Sequence, residues 1–421
     1  MNMNNIIKSS IWRGAQLIVK QGMNIFIFFI VAHLVDPGKV GLYSYVSSIA
    51  VLLGLVGDFG ISTATSKYVA EYSKTDQTKL KSIVASSFIL IATVAATLSL
   101  GFIVINTYIL HMQVSYVLFI VILTFLIPIS YLYDGIFRGL KRFKYLSLIT
   151  MGIGIVFVIP IYFLVQKYGI YGAMVSQIVF YSILIIALAI AHKELSFRID
   201  RSVLKNIATY SFICGVAAVG YQIFSRTDIV LLGHYGYLDQ IATYDFLNRI
   251  FMILSGPFAI LAQVIAPNFT HLNMRGEYKS IHSHLKKYTL LTMLAAVTIG
   301  TISMFLIPIF VKQFYPAYYN DLLFQILPFS VMIFVFYASA LTVDLGIIIP
   351  TGHAKIMTIF YSVLAIFNVV LSIILLRLMG YMGPIYATLI ASICMLVTVR
   401  VIYFMRIKAL VRSEVKAPII S

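Results

Sequence analysis

With 421 residues, 61% of them hydrophobic and only 11% charged, the chain is far more apolar than a soluble domain, which carries about 25% charged residues. This composition excludes an ordinary soluble enzyme and makes the chain an integral membrane protein. The net charge of +17 raises nucleic-acid binding as an alternative, which the placement of the basic residues rules out below.

Apolar runs of about 20 residues mark membrane-crossing helices. Twelve are expected, near 8–34, 40–70, 82–106, 115–137, 145–167, 171–192, 206–233, 240–268, 287–313, 322–348, 356–377 and 382–405. The expected fold class is therefore an all-α integral membrane protein with twelve transmembrane helices in two six-helix lobes. Residues 1–192 form the first lobe, 193–205 a cytoplasmic linker, and 206–421 the second lobe with a short cytoplasmic tail. The N-terminus lacks the layout of a signal peptide. Cys214 and Cys394 both sit in apolar runs and read as small core residues.

Lys and Arg set the orientation. With the N-terminus in the cytoplasm, the inner segments hold Lys67, Lys74, Lys79 and Lys81, then Arg138, Lys141, Arg142 and Lys144, then Lys193, Arg198, Arg201 and Lys205. Further inner groups are Lys8 and Arg13 at the start, Arg275, Lys279, Lys286 and Lys287, then Lys355, and a tail with Arg400, Arg406, Lys408, Arg412 and Lys416. The outer segments hold only Lys39, Lys167, Lys312 and Arg377. The basic excess is thus a topological signal and a contact for anionic lipids, with no nucleic acid as partner. Six spans per half keep the same orientation, so the repeat is parallel, about an axis along the membrane normal. A shift of 201 residues aligns Gln21 with Gln222, His33 with His234, Tyr43 with Tyr244 and Leu53 with Leu254.

Ionisable residues within a span are costly and face a bundle interior or a hydrated cavity. The first helix carries Arg13, Gln16, Lys20 and Asn24 at spacings that place them on one face, with Gln21 beside it. The second carries Asp58, Ser62 and Thr65 on one face. Lys20 lies roughly 21 Å and Asp58 roughly 27 Å from the outer end of their helices at 1.5 Å per residue, so the second row is expected to look toward the first. Lys20 has no acid three or four residues away and needs a partner from another helix or a ligand. In the second half, the seventh helix supplies Tyr221, Gln222, Ser225, Arg226 and Asp228, and the eighth Tyr244, Asp245, Asn248 and Arg249. Asp245–Arg249 and Asp134–Arg138 are each four apart and can neutralise each other locally. Asp344 in the tenth helix lies near the inner end. The 28 Tyr and 30 Phe read mainly as interfacial belt or packing, and no single tyrosine stands out as a sugar platform. His192, His271, His282, His284 and His353 are too scattered for a metal site.

The stretches "VDPGKVGLYSYVSSIAVLLGLVGDFGISTATSKYVAEY", "YDGIFRGLKRFKYLSLIT" and "SRTDIVLLGHYG" resemble bacterial lipid-linked oligosaccharide flippases. These form the O-antigen and polysaccharide-repeat (Wzx-like) branch of the multidrug/oligosaccharidyl-lipid/polysaccharide (MOP, MATE-related) exporter superfamily. The resemblance implies a non-enzymatic transporter that moves an undecaprenyl-pyrophosphate-linked sugar repeat from inner to outer leaflet by alternating access. It implies two lobes around a cationic cavity in the bacterial cytoplasmic (inner) membrane, with both termini cytoplasmic. On that reading Arg13, Lys20, Arg226 and Arg249 face the pyrophosphate, and Gln21, Asn24, Gln222 and Asn248 face sugar hydroxyls. Asp58, Asp228 and Asp245 are candidates for coupling to H+ or Na+, with no other cofactor, and the partners are lipid-linked oligosaccharide, membrane lipids and the polysaccharide polymerase machinery.

Three alternatives stand beside it. A multidrug antiporter of the same superfamily would favour an acidic, aromatic cavity. A lipid-II type flippase often carries extra helices, which are absent here. A membrane glycosyltransferase or polymerase needs a large outer loop, and the outer loops are short. No nucleotide-binding loop, zinc signature or nucleophile elbow occurs.

Overall fold

The computed structural model describes residues 3–73, 75–192 and 200–416, without the side chains of 3–11, 13–15, 17–18, 21, 213, 217–218, 221, 398–399 and 402–416. Arg13 and Gln21, whose roles the sequence raised, thus have side chains outside the described residues, as do most basic residues of the tail. Lys74 and residues 193–199 of the linker lie outside them entirely.

Among the described residues there is no strand, and fourteen α-helices follow one another along the chain. The first eight are α1 (Met3–Leu34), α2 (Pro37–Asp58), α3 (Ile61–Tyr72), α4 (Gln77–Ile105), α5 (Val114–Gly139), α6 (Phe143–Tyr168), α7 (Ile170–His192) and α8 (Arg201–His234). The remaining six are α9 (Leu238–Leu254), α10 (Gly256–Met274), α11 (Tyr278–Phe314), α12 (Asp321–Val343), α13 (Ala354–Met379) and α14 (Met382–Lys416). Among the described residues, eight segments are long and apolar enough to cross a membrane, one of which, Asp321–Met379, holds both α12 and α13. Gly22–Leu34 and Met382–Val397 are shorter apolar stretches. The chain is a multi-pass membrane protein of all-α class, and twelve spans is an approximate count.

Two expected spans are broken. The run 40–70 divides into α2 and α3 at Phe59 and Gly60, both with left-handed backbone (φ 37° and 75°). A Cβ on Gly60 would lie 2.8 Å from the backbone nitrogen of Gly215, so only glycine fits between α3 and α8. The run 240–268 divides into α9 and α10 at Ser255, followed by Pro257, which cannot donate to the preceding turn. In the tenth expected span, α12 passes into a π-helical stretch, Asp344–His353, that is broken at Thr351 and Gly352, the latter with φ 88°.

The chain forms two compact units, Met1–Asp239 and Gln240–Ser421. In the first, α5 packs against α2, α3, α4 and α7, α6 packs against α1 and α7, and α8 packs against α2, α3 and α4. In the second, α12 packs against α10, α11 and α14, and α13 packs against α14. The pairing of the third to sixth spans thus recurs in the ninth to twelfth. Their tight turns recur too: Gly169 (φ 56°, ψ −132°) ends α6 as Gly380 (φ 62°, ψ −143°) ends α13, a conformation open essentially to glycine alone.

The hydroxyl row of α3 finds its packing partner in α5. A Cβ on Gly135 would lie 2.4 Å from the Ser62 carbonyl oxygen, and one on Gly139 2.7 Å from that of Ser66. These glycines, four apart, let two backbones close to the distance that drives helix association in lipid. Thr65 shares a 2.7 Å hydrogen bond with Ser87 of α4. The row therefore packs largely against α5 and α4 rather than turning as a whole toward α1, because Gly135 and Gly139 let the α5 backbone close onto it.

Candidate functional site

The polar stripe of α1 points into the first unit. Gln16 and Lys20 are buried, Lys20 to 4% exposure, and Asn24 is half-buried. The Lys20 ammonium lies 3.8 Å from the centre of the Tyr131 ring on α5. One turn further along, Asn24 meets α7: its Nδ2 donates to the Tyr181 hydroxyl at 3.3 Å, and its Oδ1 accepts from Gln177 Nε2 at 3.5 Å, the edge of hydrogen-bonding range. Lys20, Asn24, Tyr131, Gln177 and Tyr181 make one cluster on three helices.

Asp58 ends α2 and serves the start of α3. Its Oδ1 accepts from the Ser62 backbone N–H at 3.0 Å and its Oδ2 from the Ser62 hydroxyl at 2.8 Å. This satisfies a donor that the break in the span would otherwise orphan. The positive charges of Arg138 and Lys20 both bear on it. On α5, Asp134 and Arg138 form an ion pair at 3.6 Å.

The candidates of the second half divide. Gln222, Arg226 and Asp228 lie on α8 within the first unit, the first two half-buried and Asp228 buried, with its Oδ1 accepting from the Ile229 N–H at 2.9 Å. Asp245, Asn248 and Arg249 lie on α9 in the second unit. There Arg249 donates to Asp245 Oδ2 from Nη2 at 2.8 Å and from Nε at 3.0 Å, and Asp245 is 2% exposed.

The structure adds groups that sequence reasoning did not single out. Tyr131, Gln177 and Tyr181 look like ordinary span residues in the sequence, and only their register against α1 reveals them. In the second unit, Asp344, which the sequence already marked, gains a partner that the sequence did not mark: the residue is 2% exposed and accepts from the Tyr361 hydroxyl at 2.6 Å. Arg400, read as part of the basic tail, donates to the Ser339 carbonyl and places its charge near Asp344. An available signal was the Pro350–Gly352 interruption within ten residues of that acid, since π-helical stretches gather at functional sites.

A family profile described as polysaccharide biosynthesis protein matches residues 6–273. An uncharacterised membrane protein of Methanocaldococcus jannaschii is 25% identical, the match covering 92% of this chain and 95% of that protein. Among solved structures, the lipid II flippase MurJ in an inward closed conformation is similar with a TM-score of 0.73 and 17% identity, over 95% of this chain and 90% of that one. An inward-facing multidrug resistance MATE transporter of the MOP superfamily is similar with a TM-score of 0.71 and 14% identity, over 93% and 95%. At these identities the structural likeness is one of fold. The profile spans more than half of the sequence, so the chain belongs to the polysaccharide biosynthesis protein family, with the fold shared by MATE transporters and MurJ.

Proposed function

We propose that the protein is a flippase that carries an undecaprenyl-diphosphate-linked oligosaccharide repeat from the inner to the outer leaflet by alternating access, for surface polysaccharide synthesis. The observation that supports this most is Lys20, an ammonium buried within a membrane helix and held against an aromatic ring. Burying such a charge costs several kcal/mol, and the face of the Tyr131 ring is one of the groups that offset this. A lysine at this depth is a functional-site candidate by its cost alone. The ligand it suits is an anion, and a diphosphate headgroup offers several strong acceptors at once.

On this reading Arg13, Gln21, Asn24, Gln222, Arg226, Asn248 and Arg249 complete the set that handles diphosphate and sugar. Asp58, Asp228 and Asp245 are the candidates for H+ or Na+ coupling. The lobes are 1–192 and 206–421 with the linker 193–205 between them. The protein resides in the bacterial cytoplasmic membrane with both termini inside and works beside a polymerase that consumes its product. It performs no bond-making step of its own.

Reconstitution tests this reading. In liposomes loaded with a polyprenyl-diphosphate oligosaccharide, the purified protein should expose the sugar to an external lectin faster than protein-free liposomes do. An imposed proton or sodium gradient should change that rate. Equal rates with and without protein would reject the transport reading, and indifference to both gradients would reject coupling alone.

A further inference from the structure

The cluster on α1, α5 and α7 has a charged half and a neutral half. Lys20 and Tyr131 form the charged half. Asn24, Gln177 and Tyr181 form the neutral half, with no ionisable carboxylate or amine among the three. The two halves are one helical turn apart on α1, or roughly 6 Å at 1.5 Å per residue. That spacing is comparable to the distance between a phosphate and the hydroxyls of the sugar attached to it.

The Oε1 atom of Gln177 is buried without a hydrogen-bond partner, and the residue as a whole is 4% exposed. A buried amide oxygen with no donor carries the full cost of its lost hydration. Its own nitrogen faces Asn24, so the amide is oriented with one end engaged and the other waiting. Were the amide turned over, the orphan would be a donor instead of an acceptor, and a hydroxyl, which both donates and accepts, answers either arrangement. Asn24 is half-buried and gives a ligand its approach to the pair.

We infer that Gln177 and Tyr181 on α7, together with Asn24, form a subsite for the first sugar ring of a lipid-linked substrate, next to a diphosphate held by Lys20. This rests on the flippase reading and adds to it the residues that distinguish a sugar-bearing lipid from a bare one. Gln177 takes a hydroxyl or amide hydrogen of the ring. Tyr181 accepts from Asn24 Nδ2 and so fixes the Asn24 amide beside Gln177.

Equilibrium binding of two probes to the purified full-length protein tests it: a polyprenyl diphosphate, and the same lipid carrying one N-acetylhexosamine. The wild-type protein should favour the sugar-bearing probe, by about five- to tenfold for a single neutral hydrogen bond. Gln177→Met, of similar length but without the amide, should collapse the ratio of the two affinities toward one. Should Gln177→Met bind neither probe, Tyr181→Phe decides, since it removes a single buried oxygen. A reduced ratio supports the subsite, and an undiminished ratio overturns it. A Gln177→Met protein that keeps the full wild-type preference likewise overturns it while leaving the transport reading standing. A wild-type protein that binds neither probe refutes both, and one that binds both equally refutes the subsite alone.

Discussion

Asp245 and Arg249 show what a paired charge within a membrane helix contributes to stability. The carboxylate receives two hydrogen bonds from the guanidinium and is almost fully enclosed. Removing one partner of such a pair leaves the other buried and uncompensated, at a cost of about 3–5 kcal/mol. Asp245→Ala is therefore expected to lower the unfolding midpoint of the detergent-solubilised protein sharply, and a shift worth less than about 1 kcal/mol would show the pair to be solvated. Any coupling role for Asp245 has to release Arg249 first, a demand that Asp58, held by Ser62, does not face. Gly135 offers a test of packing free of charge. Gly135→Val places atoms where the Ser62 carbonyl already lies and should cost about 1–3 kcal/mol. Gly101→Ala, with nothing within 4 Å, should be neutral in the same thermal assay. Equal stability of the two variants would refute the close approach of α3 and α5.

At the scale of elements, the break between α2 and α3 was present in the sequence as "GDFGIS" but reads there as polar residues inside one span. A stop followed by a restart needs a left-handed residue and a cap, and Gly60 and Asp58 supply both. Hydropathy averages over this signal, because the flanking residues on both sides are apolar. The π-helical stretch after α12 escapes for the same reason. Gly60→Ala combines a strained φ with a clash against Gly215 and should destabilise the first unit more than Gly101→Ala does. The start of α8 is a separate case at the membrane surface. Asp200 caps it through the Ser202 hydroxyl and N–H, at 2.7 and 2.8 Å, and these bonds hold its carboxyl below the ordinary carboxylate range. Its folded value lies below the unfolded one of about 3.9, so the cap is fully present above that pH and is lost as pH falls through the lowered value. Hydrogen exchange at the first turn of α8 should accordingly quicken in acid, and Asp200→Ala should show the fast exchange already at neutral pH. Exchange independent of both pH and substitution, after correction for intrinsic rates, would mean that Asp200 does not cap the helix.

For the molecule as a whole, composition and spacing made the all-α class and the multi-pass architecture legible, since both follow from the solvent demand on long apolar helices. The cluster around Lys20 was legible only on its α1 side. Lys20 and Asn24 stand out because charge and amide are rare in a span, whereas Tyr131, Gln177 and Tyr181 are unremarkable until folding brings α5 and α7 against that stripe. Asp344 was visible but its partners were not, because Tyr361 and Arg400 lie on α13 and α14, well separated from it in the chain. The account depends on a positive charge at position 20 meeting an anionic headgroup, and the most direct measurement is the rate of lectin-detected translocation of a polyprenyl-diphosphate oligosaccharide across a charge series there. Lys20→Arg should retain translocation, Lys20→Met should slow it by about tenfold or more, the equivalent of at least 1.4 kcal/mol, and Lys20→Glu should abolish it with the protein still inserted. Equal rates for lysine, methionine and glutamate would contradict the account.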